Sequence, residues 1–186
     1  MAKIILFEGP DNNFKSSLIN EIVKSHNIQN YVIIHSGKPE THGLTKEQIV
    51  LNQLDYNYNL IRNAERISDK FDMIFLDRSY IGEYVYGQMY RDIAYKEKHL
   101  TDLEQSIFRP EIWTSVLLLD SVENRLERED GKSLSTSEHT MQYETMLFKK
   151  FFSASTLQNK HIIDWSQTDY FNDENRKNII DNILKD

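Results

Sequence analysis

The sequence contains no cysteine, which excludes disulfide bonds and thiolate metal sites and fits a reducing compartment. It also lacks any apolar run that approaches the roughly 20 residues needed to cross a membrane. The first residues lead directly into an apolar strand, so we expect no signal peptide. Acidic side chains outnumber basic ones and give a net charge of −7, which argues against a broad electrostatic grip on nucleic acid. We therefore expect a cytoplasmic protein without a membrane or nucleic-acid partner.

The composition that remains is typical of a globular domain. The hydrophobic fraction of 39% and the charged fraction of 27% are ordinary for that class. The 186 residues are enough to bury a sizeable core, and no internal repeat or linker divides them. We therefore predict a single domain over residues 1–186.

Short apolar runs alternate with amphipathic segments along the whole chain. The apolar runs predict strands at 4–7, 31–35, 73–76, 113–119 and 161–165. The other segments predict helices from about residue 16 and over 45–70, 80–90, 92–109, 121–128, 140–157 and 173–184. Strands separated by helices indicate an α/β fold with a five-stranded parallel sheet, whose ligand lies at the carboxyl ends of the strands.

Two of these helices carry further expectations. Thr45 and Gln48 resemble a capping box at the start of the 45–70 helix. Gly82 and Gly87 are expected to interrupt or kink the 80–90 helix. The expected apolar stripe of the 45–70 helix consists of Leu51, Leu54, Tyr58, Ile61 and Ile67.

The segment from Gly9 to Ser17 lies between the first strand and the first helix. Gly9, five further residues and then Lys15 and Ser16 form the frame of a phosphate-binding loop. Such a loop turns its backbone N–H groups toward an anion, and the N-terminus of the following helix adds positive potential. Lys15 would reach the outer phosphates, and the Ser16 hydroxyl would hold Mg²⁺. The candidate donor-binding residues are Gly9, Asn12, Asn13, Phe14, Lys15, Ser16 and Ser17.

Phe14 stands where this loop ordinarily has a glycine. Glycine tolerates a positive φ angle, whereas a phenylalanine held there costs about 1–2 kcal/mol. Two interpretations follow: the loop is shaped slightly differently and still works, or it has lost its phosphate. We expect backbone amides that still face a phosphate and a Phe14 ring that points away from the site.

Two further pairs of residues have chemistry suited to a nucleotide. Asp77 and Arg78 end the third strand, where a carboxylate holds Mg²⁺ or receives a proton and a guanidinium suits a second phosphate. The alternative is a surface ion pair. Tyr58 and Arg62 share one helix face and suit a base and its phosphate, and the alternative is that Tyr58 belongs to the core.

Arg125, Arg128 and Lys132 flank a polar segment at about 125–139, which we interpret as a lid. Cations on such a segment can close over a phosphoryl-transfer site and stabilise charge in the transition state. The alternative is a solvated helix face, because acidic residues are interleaved with these cations.

Together these residues resemble the thymidylate kinase family of nucleoside monophosphate kinases. The family's loop, Glu-Gly-x-Asp-x-x-Gly-Lys-Ser/Thr, aligns with residues 8–16 without a gap and departs at Phe14. Its Phe-x-x-x-Arg motif aligns with residues 58–62, and its Asp-Arg-Tyr motif with residues 77–79. The resemblance covers almost the whole chain and implies a three-layer P-loop kinase fold, a small lid and a homodimer.

The resemblance also implies an activity, namely transfer of the γ-phosphoryl group of ATP to a deoxynucleoside 5′-monophosphate, with Mg²⁺. Asp11 would bond the 3′-hydroxyl of the acceptor, Arg78 would bind its phosphate, and Tyr58 would stack on its base. The implied acceptor-binding residues are Asp11, Lys38, Tyr58, Arg62, Arg78 and Tyr86. The implied catalytic residues are Lys15, Asp77, Arg78, Arg125 and Arg128, and the implied Mg²⁺ ligands are Ser16 and Asp77.

The chain departs from the family at other positions too. Lys38 stands in for the arginine of an Arg-Glu-Pro-Gly loop, and Ser79 alters the acceptor pocket. The acceptor is therefore left open as dTMP, dUMP or a modified pyrimidine monophosphate, as in a phage-encoded variant acting in the host cytoplasm. Two alternatives stay open: a deoxynucleoside kinase with Glu40 or Glu8 as the base, or a regulatory nucleotide-binding protein that has lost catalysis.

Overall fold

The computed structural model of the chain describes residues 2–36, 42–107, 109–129, 131 and 133–185. The expectations for Lys38, Glu40 and Lys132 fall outside these residues and stay predictions.

A five-stranded parallel sheet forms the centre of the fold, as the sequence predicted. Its strands are β1 Lys3–Glu8, β2 Tyr31–His35, β3 Met73–Asp77, β4 Trp113–Leu119 and β5 Asn159–Asp164, in the order β2-β3-β1-β4-β5. In the register of the sheet, Phe7 lies beside Asp77 on one side and Val116 on the other. The carboxyl ends of the three central strands therefore meet at one edge, directly before the phosphate loop and the turn at Arg78.

Helices cover both faces of this sheet and make a three-layer α/β fold. They are α1 Lys15–Ser25, α2 Lys46–Ile67, α3 Tyr80–Tyr90, α4 Glu97–Glu104, α5 Val122–Glu127, α6 Glu138–Ala154 and α7 Asp173–Lys185, with 3₁₀ turns at Ser68–Lys70 and Pro110–Ile112. Side chains alternate along β1, because a strand points successive residues to opposite faces. Ile4 and Leu6 pack with α2, α3 and α6, whereas Ile5 and Phe7 pack with α1 and α7.

The segment predicted as one helix over 92–109 contains only the shorter helix α4. Asp92 has a positive φ angle of 52°, which ends the preceding helical path. The buried ring of Tyr95 then packs over Gly87, where an added Cβ would lie 2.4 Å from Tyr95 Cε2. Helix α3 runs through Gly82 and Gly87 without interruption, so these glycines provide close packing rather than a break.

Helix α2 begins with the predicted capping box, in which Thr45 and Gln48 satisfy each other's backbone N–H groups. Its orientation differs from the predicted apolar stripe, because Leu51 is 65% exposed. Its buried residues are Ile49, Gln53, Asn57, Leu60, Ile61, Ala64 and Glu65. Two carboxamide side chains, Gln53 and Asn57, therefore lie on the buried face.

Among the described residues, no helix is both long enough and apolar enough to cross a membrane.

Candidate active site

One cavity of about 360 Å³ lies at the carboxyl edge of the sheet, over the phosphate loop. It is lined by Asp11, Asn12, Asn13, Phe14, Lys15, Ser16, Ser17, Asp77, Arg78 and Arg128. Ten residues from the loop, the end of β3 and the segment after α5 therefore meet where the sequence predicted a nucleotide site.

The path of the loop depends on Gly9. Gly9 has a φ angle of +136°, and a Cβ built there would lie 2.2 Å from the backbone oxygen of Leu118 in β4. No other residue fits this close approach without displacing the loop from the sheet. The side-chain amide of Asn13 then donates to the same Leu118 oxygen at 2.9 Å and ties the middle of the loop to β4.

Two residues of the loop, Asn12 and Phe14, adopt the left-handed conformation with φ angles of 62° and 58°. Asparagine visits this region readily, but phenylalanine pays the Cβ penalty that a glycine would avoid. Phe14 therefore adopts the positive φ angle of the glycine it replaces, and α1 begins immediately after it at Lys15. The substitution preserves the backbone geometry of the loop.

The ring of Phe14 is held by an aromatic cluster that follows β5. It stacks on Tyr170 with 4.0 Å between the ring centroids and contacts the edges of Trp165 and Phe171. On its other side, the guanidinium carbon of Arg128 lies 4.5 Å from the ring centroid, a cation–π distance. These contacts offset the strain of the left-handed backbone. Sequence reasoning did not identify Tyr170, and no motif marked it.

Lys15 is buried beneath the loop, and its ammonium group donates to the carbonyl oxygens of Gly9, at 2.9 Å, and Pro10. Burial lowers the pKa of Lys15 to about 8, while the nearby carboxylates of Asp77 and Glu144 oppose that shift. The ammonium group is therefore held under the loop by the loop's own carbonyl oxygens.

Ser16 and Asp77 form a small oxygen-rich site at the floor of the cavity. The Ser16 hydroxyl donates to Asp77 Oδ2 at 2.7 Å, and His35 Nδ1 lies 3.2 Å from the same oxygen. Mg²⁺ is ordinarily held by one or two protein oxygens together with water and substrate phosphates, and this pair fits that donor set. No group of three or more His, Cys, Asp or Glu side chains in the described part of the chain could hold a metal on its own.

Arg78 has a φ angle of 66°, and its backbone N–H donates to Phe7 O at 2.9 Å. This turn directs the side chain to Asp11, with which it forms an ion pair, and over the ring of Tyr86, 5.9 Å from the guanidinium carbon. Asp11, Arg78 and Tyr86, three of the residues predicted to bind the acceptor, therefore lie next to one another.

The segment after α5 is docked on the phosphate loop through Asn12. Arg128 donates to the backbone oxygen of Asn12 from Nε, at 3.1 Å, and from Nη2, at 2.9 Å. Its Nη2 also lies 2.5 Å from Asp120 Oδ2 at the end of β4. The Asn12 side-chain amide donates in turn to Glu129 and Ser133, at 3.2 and 3.0 Å. Arg128, predicted to be a lid cation, thus lines the cavity, and Asn12 connects the loop to the segment after α5.

Arg125 does not reach the cavity. It is 1% exposed and forms an ion pair with the fully buried Glu144 of α6, with a further hydrogen bond to Thr145 Oγ1 at 3.1 Å. A guanidinium held in this way joins α5 to α6 and does not act as a mobile lid cation in this structure. Arg125 and Arg128 differ because of their positions on α5. Arg125 lies on the inward face of the helix, whereas Arg128 follows its last turn.

Tyr58 and Arg62 also lie away from the phosphate cavity. Arg62 stacks over Tyr58 at 5.0 Å and lines a separate cavity of about 460 Å³. That cavity is lined by Arg62, Asn63, Glu65, Arg66 and Arg109. Glu65 accepts from Trp113 Nε1 at 3.3 Å, at the first residue of β4, so this cavity lies toward the amino edge of the sheet.

Glu8 ends β1 in a fully buried position, where Gly82 donates its backbone N–H to Oε2 at 3.1 Å. Burial raises the pKa of Glu8 to about 8, against the opposing effect of Lys15 and Arg78. At neutral pH this carboxyl is therefore largely protonated.

Solved structures of similar fold include nucleotide kinases that align over nearly the whole chain. The YorR protein of Bacillus subtilis, solved in complex with phosphorylated GDP, has 19% identity and a TM-score of 0.66 over 98% of this chain and 93% of its own. Thymidylate kinase from Ehrlichia chaffeensis has 12% identity and a TM-score of 0.62 over 99% and 97%. Thymidylate kinase from Candida albicans has 14% identity and a TM-score of 0.58 over 88% and 84%.

No protein-family model and no curated protein matches the sequence. The chain therefore has the α/β fold of these proteins, among them two thymidylate kinases.

Proposed function

We propose that this protein transfers the γ-phosphoryl group of ATP to the phosphate of a deoxynucleoside 5′-monophosphate. The observation that carries the proposal is the convergence of Lys15, the Ser16–Asp77 pair and Arg78 on one cavity. One end of this cavity suits the phosphates of a donor, and the other suits a second anion. Thymidylate and other pyrimidine monophosphates are the acceptors that the fold suggests first.

The residues act mainly by positioning and by charge stabilisation, since phosphoryl transfer needs little covalent help from the protein. Lys15 would exchange the carbonyl oxygens of Gly9 and Pro10 for oxygens of the donor. Ser16 and Asp77 would hold Mg²⁺, which neutralises charge on the transferred group when it is bound.

On the acceptor side, Arg78 would exchange its contact with Asp11 for the acceptor phosphate. The released Asp11 carboxylate would then be free to accept a hydrogen bond from the sugar hydroxyl. Arg128 lies across the loop from Arg78 and would stabilise charge that develops between donor and acceptor.

A deoxynucleoside kinase is less well supported. Such an enzyme must deprotonate a neutral hydroxyl, but Glu8, its candidate base among the described residues, is fully buried against Gly82 and does not line the cavity. A regulatory protein that has lost catalysis was suggested by Phe14. Phe14 has the left-handed backbone that a glycine adopts readily, which supports a working loop over that alternative.

The test is a coupled assay of ADP formation with Mg²⁺ and ATP. The acceptors are the deoxynucleosides and deoxynucleoside 5′-monophosphates of thymine, uracil, cytosine, adenine and guanine. Turnover with monophosphates alone supports the proposal. Turnover with nucleosides would replace it with the nucleoside kinase, and tight ATP binding without turnover on any acceptor would favour the regulatory alternative. Homodimerisation and a cytoplasmic location stay predictions from the family resemblance.

A further inference from the structure

Asn57 is an unexplained polar residue in the interior of this fold. It is 1% exposed, and neither its amide nitrogen nor its amide oxygen has a hydrogen-bond partner among the described residues. Buried side-chain amides are ordinarily bonded, because an unpaired donor or acceptor is costly. A functional ligand is a standard reason for such an exception.

The position of Asn57 along the strand direction follows from helix and strand geometry. Glu65, on the same helix, contacts Trp113 Nε1 at the first residue of β4, which pairs with Ile4. Helix α2 descends from the carboxyl edge to the amino edge, so Asn57, eight residues earlier, lies about 12 Å higher. That height corresponds to between three and four strand residues, at about 3.3 Å each.

Three to four strand residues beyond Ile4 lie Phe7 and its neighbour Asp77, at the carboxyl edge of the sheet, so Asn57 lies at their level. Gln53, one helical turn above Asn57 on the same face, is 8% exposed and lies beyond that edge. Other unpaired buried groups lie at this level, namely Arg78 Nε and Ser79 Oγ. Asn57 therefore lies at the same level along the strands as Arg78, the residue proposed to bind the acceptor phosphate.

We propose that Asn57, with Gln53 above it, recognises the base of the acceptor monophosphate, together with Tyr58 and Arg62, to which the family resemblance assigns the same role. This inference rests on the proposed function and names the specificity residues of the same site. A carboxamide offers one donor and one acceptor side by side, whereas a guanidinium only donates. Asn57 therefore suits a base edge with an adjacent donor and acceptor. Such an edge occurs in amino-bearing bases such as cytosine as well as in thymine or uracil.

The experiment compares Asn57→Leu with wild type in steady-state kinetics, with the best acceptor among dTMP, dUMP, dCMP, dAMP and dGMP. We expect the acceptor KM to rise at least about tenfold, while the KM for ATP stays within about twofold. Binding of deoxyribose 5-phosphate, which has no base, should be equal in the two proteins by calorimetry. Asn59→Leu, the same change on the exposed face of α2, should leave all of these values unchanged.

A thermal melt separates this role from a structural one. Leucine removes two unpaired polar atoms from the interior, so Asn57→Leu should melt several degrees above wild type, about 3 °C or more. An unchanged acceptor KM would overturn the inference. So would a lower melting temperature with equal losses in ATP and acceptor affinity, which indicates a structural amide.

The two proposals fail in different ways. If wild type phosphorylates no monophosphate, the proposed function is wrong. If it does so and Asn57→Leu retains the wild-type KM, only the assignment of Asn57 is wrong.

Discussion

The ring of Phe14 stacks face to face on the ring of Tyr170, with 4.0 Å between the centroids and 6° between the planes. This contact explains how a phosphate loop can hold a phenylalanine in the left-handed region. The stack and the cation–π contact from Arg128 stabilise the side chain, while the backbone strain destabilises it. The two contributions can be separated by substitution.

Replacing Phe14 with alanine removes the stack and keeps the strain, so we expect a loss of about 2–4 kcal/mol in the free energy of unfolding. Phe14→Gly loses the same contacts but relieves the strain, so it should be about 1 kcal/mol more stable than Phe14→Ala. Urea denaturation measures both values. An alanine variant as stable as the glycine variant would show that position 14 carries no left-handed strain in solution.

The buried pair of Arg125 and Glu144 is predicted to be structural. Arg125→Met leaves Glu144 without its partner in the interior, so we expect a loss of about 3–5 kcal/mol in unfolding free energy. The double variant Arg125→Met, Glu144→Met removes both charges and should recover most of that loss. Equilibrium denaturation of the single and double variants completes the cycle. A fully stable Arg125→Met protein with impaired turnover would contradict the structural role and support the predicted role of Arg125 as a lid cation.

The stability of the protein should fall as the pH rises toward about 8, because of Glu8. Its pKa is raised from an ordinary 4.5 to about 8, so the folded state retains a proton that the unfolded chain releases. This contribution is fully present below about pH 4.5 and is lost as the pH rises through about 8. Lys15, with its pKa lowered from 10.5 to about 8, acts in the opposite direction between pH 8 and 10.5.

Glu8→Gln imitates the protonated carboxyl and still accepts from Gly82. Relative to this variant, wild type should lose on the order of a few kcal/mol between pH 5 and pH 8, as measured by denaturation at each pH. Parallel pH profiles for the two proteins would contradict the raised pKa.

Asp77→Asn should weaken the use of Mg²⁺. The amide keeps the shape of the side chain and a hydrogen bond to Ser16 but lacks the charge, so we expect the Mg²⁺ concentration for half-maximal activity to rise about tenfold or more. Chelation by EDTA should abolish turnover in both proteins. Asp72→Asn, before the opposite end of β3, provides the matched control and should behave like wild type.

Lys15→Ala should lower kcat/KM for ATP at least about 10²-fold, because the charge under the loop is lost. Lys24→Ala, an exposed lysine in the last turn of the same helix, should have no effect on kinetics. An active Lys15→Ala protein would mean that the phosphate loop has been assigned to the wrong segment.

The sequence predicted the sheet and the residues that meet at its carboxyl edge, because both depend on contiguous residues. An apolar run followed by Gly9 through Ser17 specifies a strand, a loop and a helix. Asp77 and Arg78 end the strand that pairs with β1, so parallel topology alone brings them to the loop. The positive φ angle of Phe14 followed from the glycine that it replaces.

The orientation of helices was harder to predict, because it depends on contacts between distant segments. Leu51 fits an apolar stripe yet is exposed, whereas the buried face of α2 carries Gln53 and Asn57. Helical spacing does not identify the buried face when that face also carries polar side chains. Arg125 was misplaced for the same reason, because its partner Glu144 lies on another helix.

Asn12 contacts the segment after α5 with both its backbone oxygen and its side-chain amide, and Phe14 depends on an aromatic ring from a third segment. In most P-loops, glycines let the loop keep its shape by itself. Here the shape is shared among the loop, Arg128, Glu129, Ser133 and Tyr170. A graft of this loop alone into another protein would therefore not fold as it does here. The transferable module consists of all three segments, and protein engineers would have to exchange them together.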